Sequence, residues 1–220
     1  MDWIGNALGL LAKGGLVMIP LLACSVISVA VLVERHIRVN RARTDASSAI
    51  MEAEDALYDG DPTRASELLN DHASSVARVL AAGLRNHHLG ERAVERAMEE
   101  QGTREVSSLT ARLSWLDTII TIAPLLGLLG TVTGMISAFH VIATKDGIST
   151  PTAITGGVAE ALVATATGLA IAIFTLVGHN AVQEKIKGIV SEIEARGNAM
   201  LNTIAETSEG SRREITRLSA

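Results

Sequence analysis

The residue of this chain best suited to chemistry is Glu160, the one Asp, Glu, Lys or Arg in the run from residue 148 to residue 181. An ionised carboxylate at the centre of a bilayer costs about 2.5 kcal/mol or more, so such residues usually face a cavity or a partner and serve an ion pathway. A second interpretation is that Glu160 lies near the outer end of its helix and reaches the interface, since it follows Pro151 closely. The residue therefore indicates proton or ion transfer, with the interfacial carboxylate as the alternative.

No other pattern is typical of catalysis, cofactor binding or metal binding. The sequence has no phosphate-binding glycine loop, nucleophile elbow or metal motif, and the glycines of GLLGTVTG lie in an apolar run that follows no predicted strand. His87 and His88 have no second cluster of metal ligands near them, and Cys24 is the only cysteine. A net charge of −5 argues against nucleic-acid binding. We therefore expect neither an enzyme nor a protein with a cofactor or metal.

Three long runs without charged residues, apart from Glu160, are the elements that must position this carboxylate. The first covers 14–33, and its length matches the roughly 20 residues that cross a bilayer core. No basic cluster precedes this run and it is longer than a typical signal-peptide core, which disfavours a signal peptide. The second run covers 118–143, with Trp115 at the interface before it, and the third contains Glu160. These runs predict an all-α integral membrane protein with three transmembrane helices.

The polar remainder of the chain is predicted to be helical as well. Asp61 and Pro62 suit an N-cap and a first helical position, and a second break falls near Gly90. Apolar residues recur at helical spacing on both sides of Gly90, which indicates a helical domain without strands. The charged tail after residue 183 keeps a similar spacing and is expected to extend the third transmembrane helix.

The placement of basic residues predicts the topology. Arg35, Arg38, Arg41 and Arg43 follow the first run, so that end is expected in the cytoplasm and the N-terminus outside. The predicted organisation is a periplasmic or interfacial N-terminus (1–13), transmembrane helix 1 (14–33), a cytoplasmic helical domain (34–114), transmembrane helix 2 (115–143), a periplasmic turn (144–152), transmembrane helix 3 (153–179) and a cytoplasmic helical tail (180–220).

A helical wheel separates small from bulky residues on the second and third spans. Small residues let helix backbones approach closely in a membrane, where packing replaces the hydrophobic effect. Thr131 shares the small face of the second span, and Glu160 and Thr165 flank the small face of the third. The predicted helix-packing residues are Gly127, Gly130, Gly134, Gly157, Ala161 and Gly168.

The same segments carry a family pattern. The stretch MIPLLACSVISVAVLVER, the stretch APLLGLLGTVTGMISAF and the stretch GGVAEALVATATGLAIAI resemble the three spans of the MotA/TolQ/ExbB proton channel family. One departure is Phe174 in AIFT, where many relatives have Pro, which puts a local helix break there in doubt. A flagellar stator of this family would have a fourth span, so three spans favour an ExbB-like or a TolQ-like protein, and we favour ExbB.

The resemblance implies a function that composition does not show. Family members form the static ring of a proton-driven motor, usually a pentamer, around two single-span helices of the ExbD/TolR type. The partner carries an essential membrane Asp and acts on TonB-like or TolA-like proteins across the periplasm. Carried over by motif position, Thr131, Glu160 and Thr165 would line the ion path of an inner-membrane motor. We expect the two hydroxyls to donate to the Glu160 carboxylate or to accept from its protonated form. The alternative from a different class is that this chain is a passive membrane scaffold that uses the same packing faces.

Overall fold

The computed structural model of the chain describes residues 15–70, 72–144 and 151–218, with side chains up to His140 and from Thr155 to Glu206. The predicted N-terminal segment 1–13 and most of the predicted turn at 144–152 lie outside these residues. Every described element is a helix, and none of these residues forms a strand. The elements are α1 (Met18–Ala42), α2 (Ser47–Tyr58), α3 (Pro62–Asn70), α4 (Ser75–Leu84), a 3-10 turn (His87–Leu89), α5 (Glu91–Thr110), α6 (Leu113–Thr144) and α7 (Pro151–Leu218).

Local sequence explains where two of these helices begin. Asp61 accepts a hydrogen bond of 2.9 Å from the backbone N–H of Arg64, which is the N-cap interaction predicted for a helix that starts at Pro62. Gly90 has a φ of +91°, a conformation that glycine adopts without a steric penalty, and α5 starts at the next residue. Both predicted breaks are therefore confirmed.

Three helical stretches among the described residues are long and apolar enough to cross a membrane by length and composition. They contain α1, α6 and the first part of α7, the elements predicted to span. Pro124 lies inside α6, and α7 continues without a break through Phe174. The helix therefore has no break at Phe174, the position where the family resemblance put a break in doubt.

The chain divides into two compact units, which we call the apolar unit (residues 1–34 and 112–181) and the polar unit (residues 35–111 and 182–220). In the polar unit, α2, α3, α4 and α5 pack with the last part of α7 around one core. Small residues and aliphatic side chains alternate in this core, so the short helices approach one another closely. The core includes Ile50, Ala53, Leu57, Leu69, Val76, Val79, Leu80, Leu84, Val94, Met98 and Met200.

An ion pair anchors α4 to α5 within the polar unit. The guanidinium of Arg78 contacts both carboxylate oxygens of Glu105, at 2.8 and 2.6 Å, and Ser75 and Gln101 donate to the same carboxylate. Burial raises the pKa of Glu105, but these hydrogen bonds lower it by more, so the pKa lies below its ordinary value. The carboxylate is therefore charged and fully engaged at neutral pH.

Arg35 belongs to the arginine cluster that predicts topology, yet it is buried. Its side chain is only 1% exposed, and its guanidinium donates a hydrogen bond of 3.0 Å to the carbonyl oxygen of Ser108 in the polar unit. Topogenic arginines are usually expected to be solvated, so this contact was not predictable from charge placement alone. Arg35 therefore ties the second half of α1 to the end of α5.

The apolar unit brings α1, α6 and the first part of α7 together. The faces that the helical wheel separates are the buried and exposed faces of α6: Ala123, Gly127, Gly130, Gly134 and Ala138 are buried. Its bulky residues are exposed, among them Leu125, Leu128, Leu129, Val132, Ile136 and Phe139. An exposed apolar surface of this kind suits lipid tails or the apolar face of another membrane helix.

An ion pair marks the end of the first span and the start of α6. Arg112 has a φ of +64°, a conformation that is uncommon for residues other than glycine, and its guanidinium contacts the Glu34 carboxylate at 2.6 Å. The left-handed residue turns the backbone between Ala111 and Leu113. The ion pair with Glu34 therefore fixes the position of Arg112, the residue that directly precedes α6.

Candidate functional site

Helices α6 and α7 approach each other closely along their small residues. A Cβ added at Gly127 would lie 3.0 Å from the Cα of Thr165, and one added at Gly134 would lie 2.9 Å from both the Cβ of Ala161 and the carbonyl of Gly157. Distances this short leave no space for a larger side chain at either glycine. The backbones of α6 and α7 are therefore in direct contact around the candidate ion path.

The other predicted packing residues extend this contact in antiparallel order. A Cβ at Gly157 would lie 2.9 Å from the Cβ of Ala138, toward one end of the pair. Toward the other end, a Cβ at Gly168 would overlap the carbonyl oxygen of Ala123, and one at Gly130 would overlap the side chain of Ala164. The small faces of α6 and α7 thus pack on each other within one chain.

Thr165 joins the two helices by a hydrogen bond. Its hydroxyl donates to the carbonyl oxygen of Gly127 at 2.9 Å, and the side chain is half-buried. The close approach that Gly127 permits brings this carbonyl within reach. Thr165 therefore lies within the direct contact between α6 and α7.

Thr131 is half-buried on α6 and donates to a carbonyl of its own helix, that of Leu128, at 2.6 Å. The hydroxyl hydrogens of both threonines are thus used by backbone carbonyls, which differs from the expected donation to the Glu160 carboxylate. The reason is local for Thr131, because a helical threonine readily bonds a carbonyl one turn back. Each hydroxyl keeps a lone pair that can accept a hydrogen bond.

Glu160 is half-buried on α7 and lies against the chain just before α1. Its carboxylate occupies the place where a Cβ of Gly15 would be, and Gly15 has a φ of +70°. The sequence analysis did not identify this neighbour. The signal available was a glycine pair at the start of the first apolar run, which does not say what packs on it.

Two further polar contacts lie on α7 toward its other end. The hydroxyl of Thr175 donates to that of buried Ser28 on α1 at 3.0 Å. One turn further on, His179 is 5% exposed and its Nε2 lies 3.4 Å from a carboxylate oxygen of Asp117. Ser28, Asp117 and His179 are not among the predicted site residues.

The polar residues of α7 are spread over the length of a membrane span. Glu160 and His179 are 19 residues apart, or about 28 Å along an α-helix, which is close to the thickness of a bilayer core. The carboxylate and the imidazole can each take up and release a proton, and the hydroxyls between them can accept hydrogen bonds. The arrangement suits proton transfer along the inner face of α7 better than bond-making chemistry.

Metal binding and small-molecule binding are the other functions to consider for the described residues. Within those residues no group of three or more His, Cys, Asp or Glu is placed to hold a metal ion. A cavity of about 640 Å³ lies in the polar unit between α5 and the last part of α7. Met98, Val106 and Ile193 contribute apolar surface to it, and Glu95, Glu99 and Glu194 contribute carboxylates.

The fold and the site together define a class of protein: a multi-span membrane protein with an ionisable carboxyl group among small-residue helices. The sequence profile of the MotA/TolQ/ExbB proton channel family matches residues 71–195, a range that contains α6 and Glu160. The match covers more than half of the chain. The chain therefore belongs to the MotA/TolQ/ExbB proton channel family.

Individual relatives bear names from two branches of this family. The biopolymer transport protein ExbB-like 1 of Synechocystis is 36% identical over 74% of this chain and 65% of its own length. The biopolymer transport protein exbB1 of Vibrio cholerae is 34% identical over 74% of this chain and 73% of its own length. The Tol-Pal system protein TolQ of Haemophilus influenzae is 29% identical over 79% of this chain and 81% of its own length.

Proposed function

We propose that this protein is the ExbB-like subunit of an inner-membrane motor driven by the proton motive force. With a single-span partner of the ExbD type, it would energise TonB-dependent transport across the outer membrane. The observation that carries the proposal is the half-buried Glu160 carboxyl group beside the closely packed α6–α7 pair. An ionised carboxylate within a membrane has a high free energy, and residues of this kind usually serve an ion pathway.

The proposed ion path consists of Thr131, Glu160 and Thr165. Glu160 takes up and releases the proton, because it alone of the three has a carboxyl group. The threonine hydroxyls donate to the carbonyls of Leu128 and Gly127, so they are oriented with their lone pairs free to accept. In this proposal the hydroxyls receive a hydrogen bond from protonated Glu160 or from water on the path.

The proposed assembly is a homo-oligomeric ring, a pentamer by family resemblance, around the partner helices. The small faces of α6 and α7 are buried against each other within one chain, so they are not available to contact neighbouring copies. The exposed bulky residues of α1, α6 and α7 are available instead, for example Val26, Leu129 and Ile173. Contacts between copies would therefore be made by large side chains, with the remaining bulky surface facing lipid.

The proposed orientation places the N-terminus in the periplasm and the polar unit in the cytoplasm of a bacterial cell. It is supported by the arginines that follow the first span and by Lys185 and Lys187 after the third. In this orientation Glu160 lies in the periplasmic half of the membrane and His179 near the cytoplasmic border. A proton that moves from Glu160 toward His179 would follow the proton motive force.

A second candidate is a TolQ-like subunit of the Tol-Pal envelope-integrity system, favoured by the match to TolQ of Haemophilus influenzae. The test is complementation of a strain from which the gene is deleted, at matched protein levels. Restored siderophore uptake under iron limitation supports the ExbB-like role. Restored resistance to detergents without any effect on uptake supports the TolQ-like role. Failure of both assays, with no single-span protein recovered on purification, supports a passive scaffold.

A further inference from the structure

Two independent constraints require glycine at position 15. The backbone there has a φ of +70°, which a side chain disfavours, and the place of the missing Cβ is filled by the carboxylate of Glu160. The φ constraint alone also applies to Gly60 and Gly90, at +79° and +91°, where an added Cβ meets nothing within 4 Å. Only at Gly15, among these three glycines, does a titratable group use the space.

Gly15 belongs to the turn that starts the first span. Its carbonyl accepts a hydrogen bond of 3.1 Å from the N–H of Met18, the first residue of α1, and the N–H of Ile19 bonds to Leu16 at 3.3 Å. The N-terminal end of a helix carries a partial positive charge, which attracts a carboxylate. The Glu160 carboxylate therefore has both space and an electrostatic reason to rest at Gly15.

We propose that Gly15 is a positioning residue for Glu160: it provides the place in which the carboxylate rests, so that the first span controls how far this group extends into the ion path. The inference rests on the proposed function, since it assigns a control element to the same carboxylate. It adds the start of α1 to a path that the family resemblance assigned to α6 and α7 alone.

The predicted effect of a side chain at position 15 is a displaced Glu160 and not an unfolded protein. The atoms that an added Cβ would meet are the carboxylate oxygen, Cδ and Cγ of Glu160, the far end of a flexible side chain. Rotation of this side chain relieves the overlap without moving α7. By contrast, a Cβ at Gly127 or Gly168 would meet backbone atoms of the neighbouring helix, which cannot move alone.

The test measures the reactivity of Glu160 directly, with dicyclohexylcarbodiimide. This apolar reagent attacks protonated carboxyl groups within membranes, and mass spectrometry of the purified full-length protein quantifies the adduct at position 160. The variants are Gly15→Ala, the control Gly60→Ala and the double variant Gly15→Ala/Glu160→Asp, compared with Glu160→Asp alone. The aspartate ends one methylene earlier and withdraws from the space at position 15.

In Gly15→Ala, the reagent is expected to label Glu160 several-fold faster than in the unchanged protein. In Gly60→Ala, Glu160 should be labelled at the unchanged rate. In the Glu160→Asp background, Gly15→Ala should have a smaller effect on labelling than it has with glutamate. If Gly15→Ala lowers the amount of protein in the membrane, Glu160→Asp should restore that amount in the double variant. Each of these results supports the positioning role.

Unchanged labelling in Gly15→Ala would overturn the inference, and so would an equal effect of Gly60→Ala. If Gly15→Ala lowers the amount of protein, failure of Glu160→Asp to restore that amount would overturn it as well. These results leave the proposed function intact if Glu160→Gln still abolishes proton-driven work. Conversely, full work by Glu160→Gln contradicts the proposed function whatever the labelling of Gly15→Ala shows. The two failures are therefore distinguishable.

Discussion

The hydroxyl of Thr165 donates a hydrogen bond of 2.9 Å to the carbonyl oxygen of Gly127, 38 residues earlier in the chain. The two helices approach each other closely at this point, because a glycine on one helix faces a small hydroxyl residue on the other. Within a membrane such a bond replaces contacts that water would make elsewhere. Thr165 therefore contributes to the helix pair as well as to the proposed ion path.

Replacing Thr165 by Val should lower the free energy of unfolding by about 1 kcal/mol, since the shape is kept and one interhelical hydrogen bond is lost. Thr165→Ser should lower it less, because the hydroxyl remains. The matched control is Thr133→Val, as Thr133 bonds to carbonyls of its own helix, at 3.0 and 3.1 Å. Unfolding in mild detergent with increasing denaturant measures all three, and equal losses for Thr165→Val and Thr133→Val would contradict the account.

Two adjacent glycines on α7 should respond in opposite ways to the same substitution. Gly157→Ala adds a Cβ 2.9 Å from that of Ala138 and 3.0 Å from the carbonyl of Gly134, so it should push the helices apart and destabilise the protein. Gly156→Ala meets nothing within 4 Å and should be neutral, or stabilising by up to about 1 kcal/mol through helix propensity. Melting temperatures in the same detergent compare them, and a loss for Gly156→Ala as large as that for Gly157→Ala would refute the packing.

The Arg78–Glu105 pair makes the polar unit sensitive to acid. The folded pKa of Glu105 is depressed below its ordinary value of 4.5, so its stabilisation is complete above that value and is lost as pH falls through the folded pKa. The protection of α4 and α5 against hydrogen exchange in the whole protein, corrected for the intrinsic exchange rate at each pH, should therefore fall on acidification below about pH 4.5. Glu105→Gln should remove this part of the pH dependence.

At neutral pH Glu105→Gln should lower the free energy of unfolding by about 1 to 2 kcal/mol. This loss lies toward the lower end of the range for a charged hydrogen bond, because Arg78 is 38% exposed. Glu100→Gln is the control, since its ion pair with Arg104 is exposed at 69% and 64% and should contribute little. Equal exchange rates in Glu105→Gln and the unchanged protein at pH 7 would show that the pair does not anchor α4 to α5.

The proposed topology predicts which cysteines an impermeant reagent reaches in intact cells. In a background with Cys24 replaced by Ser, Gly147→Cys should be labelled from outside and Gly90→Cys only after the cells are permeabilised. The reason is the arginine cluster after the first span, which holds that end in the cytoplasm. Labelling of Gly90→Cys but not of Gly147→Cys in intact cells would reverse the orientation.

Local patterns predicted much of the fold. The N-cap at Asp61 and the helix start after Gly90 depend on neighbouring residues, so the sequence alone contains the relevant chemistry. The period of an α-helix separates the small and the bulky residues of α6 onto two faces. Ala123 and Gly134, on the small face, are buried as this separation predicts. The length of the three apolar runs is also a local property of the sequence, and it predicted the three long apolar helices.

Contacts between distant residues were not predictable in this way. Nothing in the sequence pairs Arg78 with Glu105, which lie 27 residues apart, or places the Arg35 side chain at the carbonyl of Ser108. The Thr131 and Thr165 hydroxyls were expected to donate to the Glu160 carboxylate or to accept from its protonated form, and both donate to backbone carbonyls. Gly15 was not identified as a neighbour of that carboxylate. Helical period defines a face, whereas the partner of that face depends on how the helices pack.

In the proposed function Glu160 carries protons for the motor, and Glu160→Gln tests this role most directly. Glutamine keeps the size and hydrogen bonding of the side chain but cannot titrate. The measurement is siderophore uptake under iron limitation in a deletion strain that carries the variant, at matched protein levels, or detergent resistance if the wild-type chain restores only that. Glu160→Gln should assemble normally and lose proton-driven work, and Glu160→Ala should lose at least as much. Full work by Glu160→Gln would contradict the claim and leave the partner's carboxylate as the carrier.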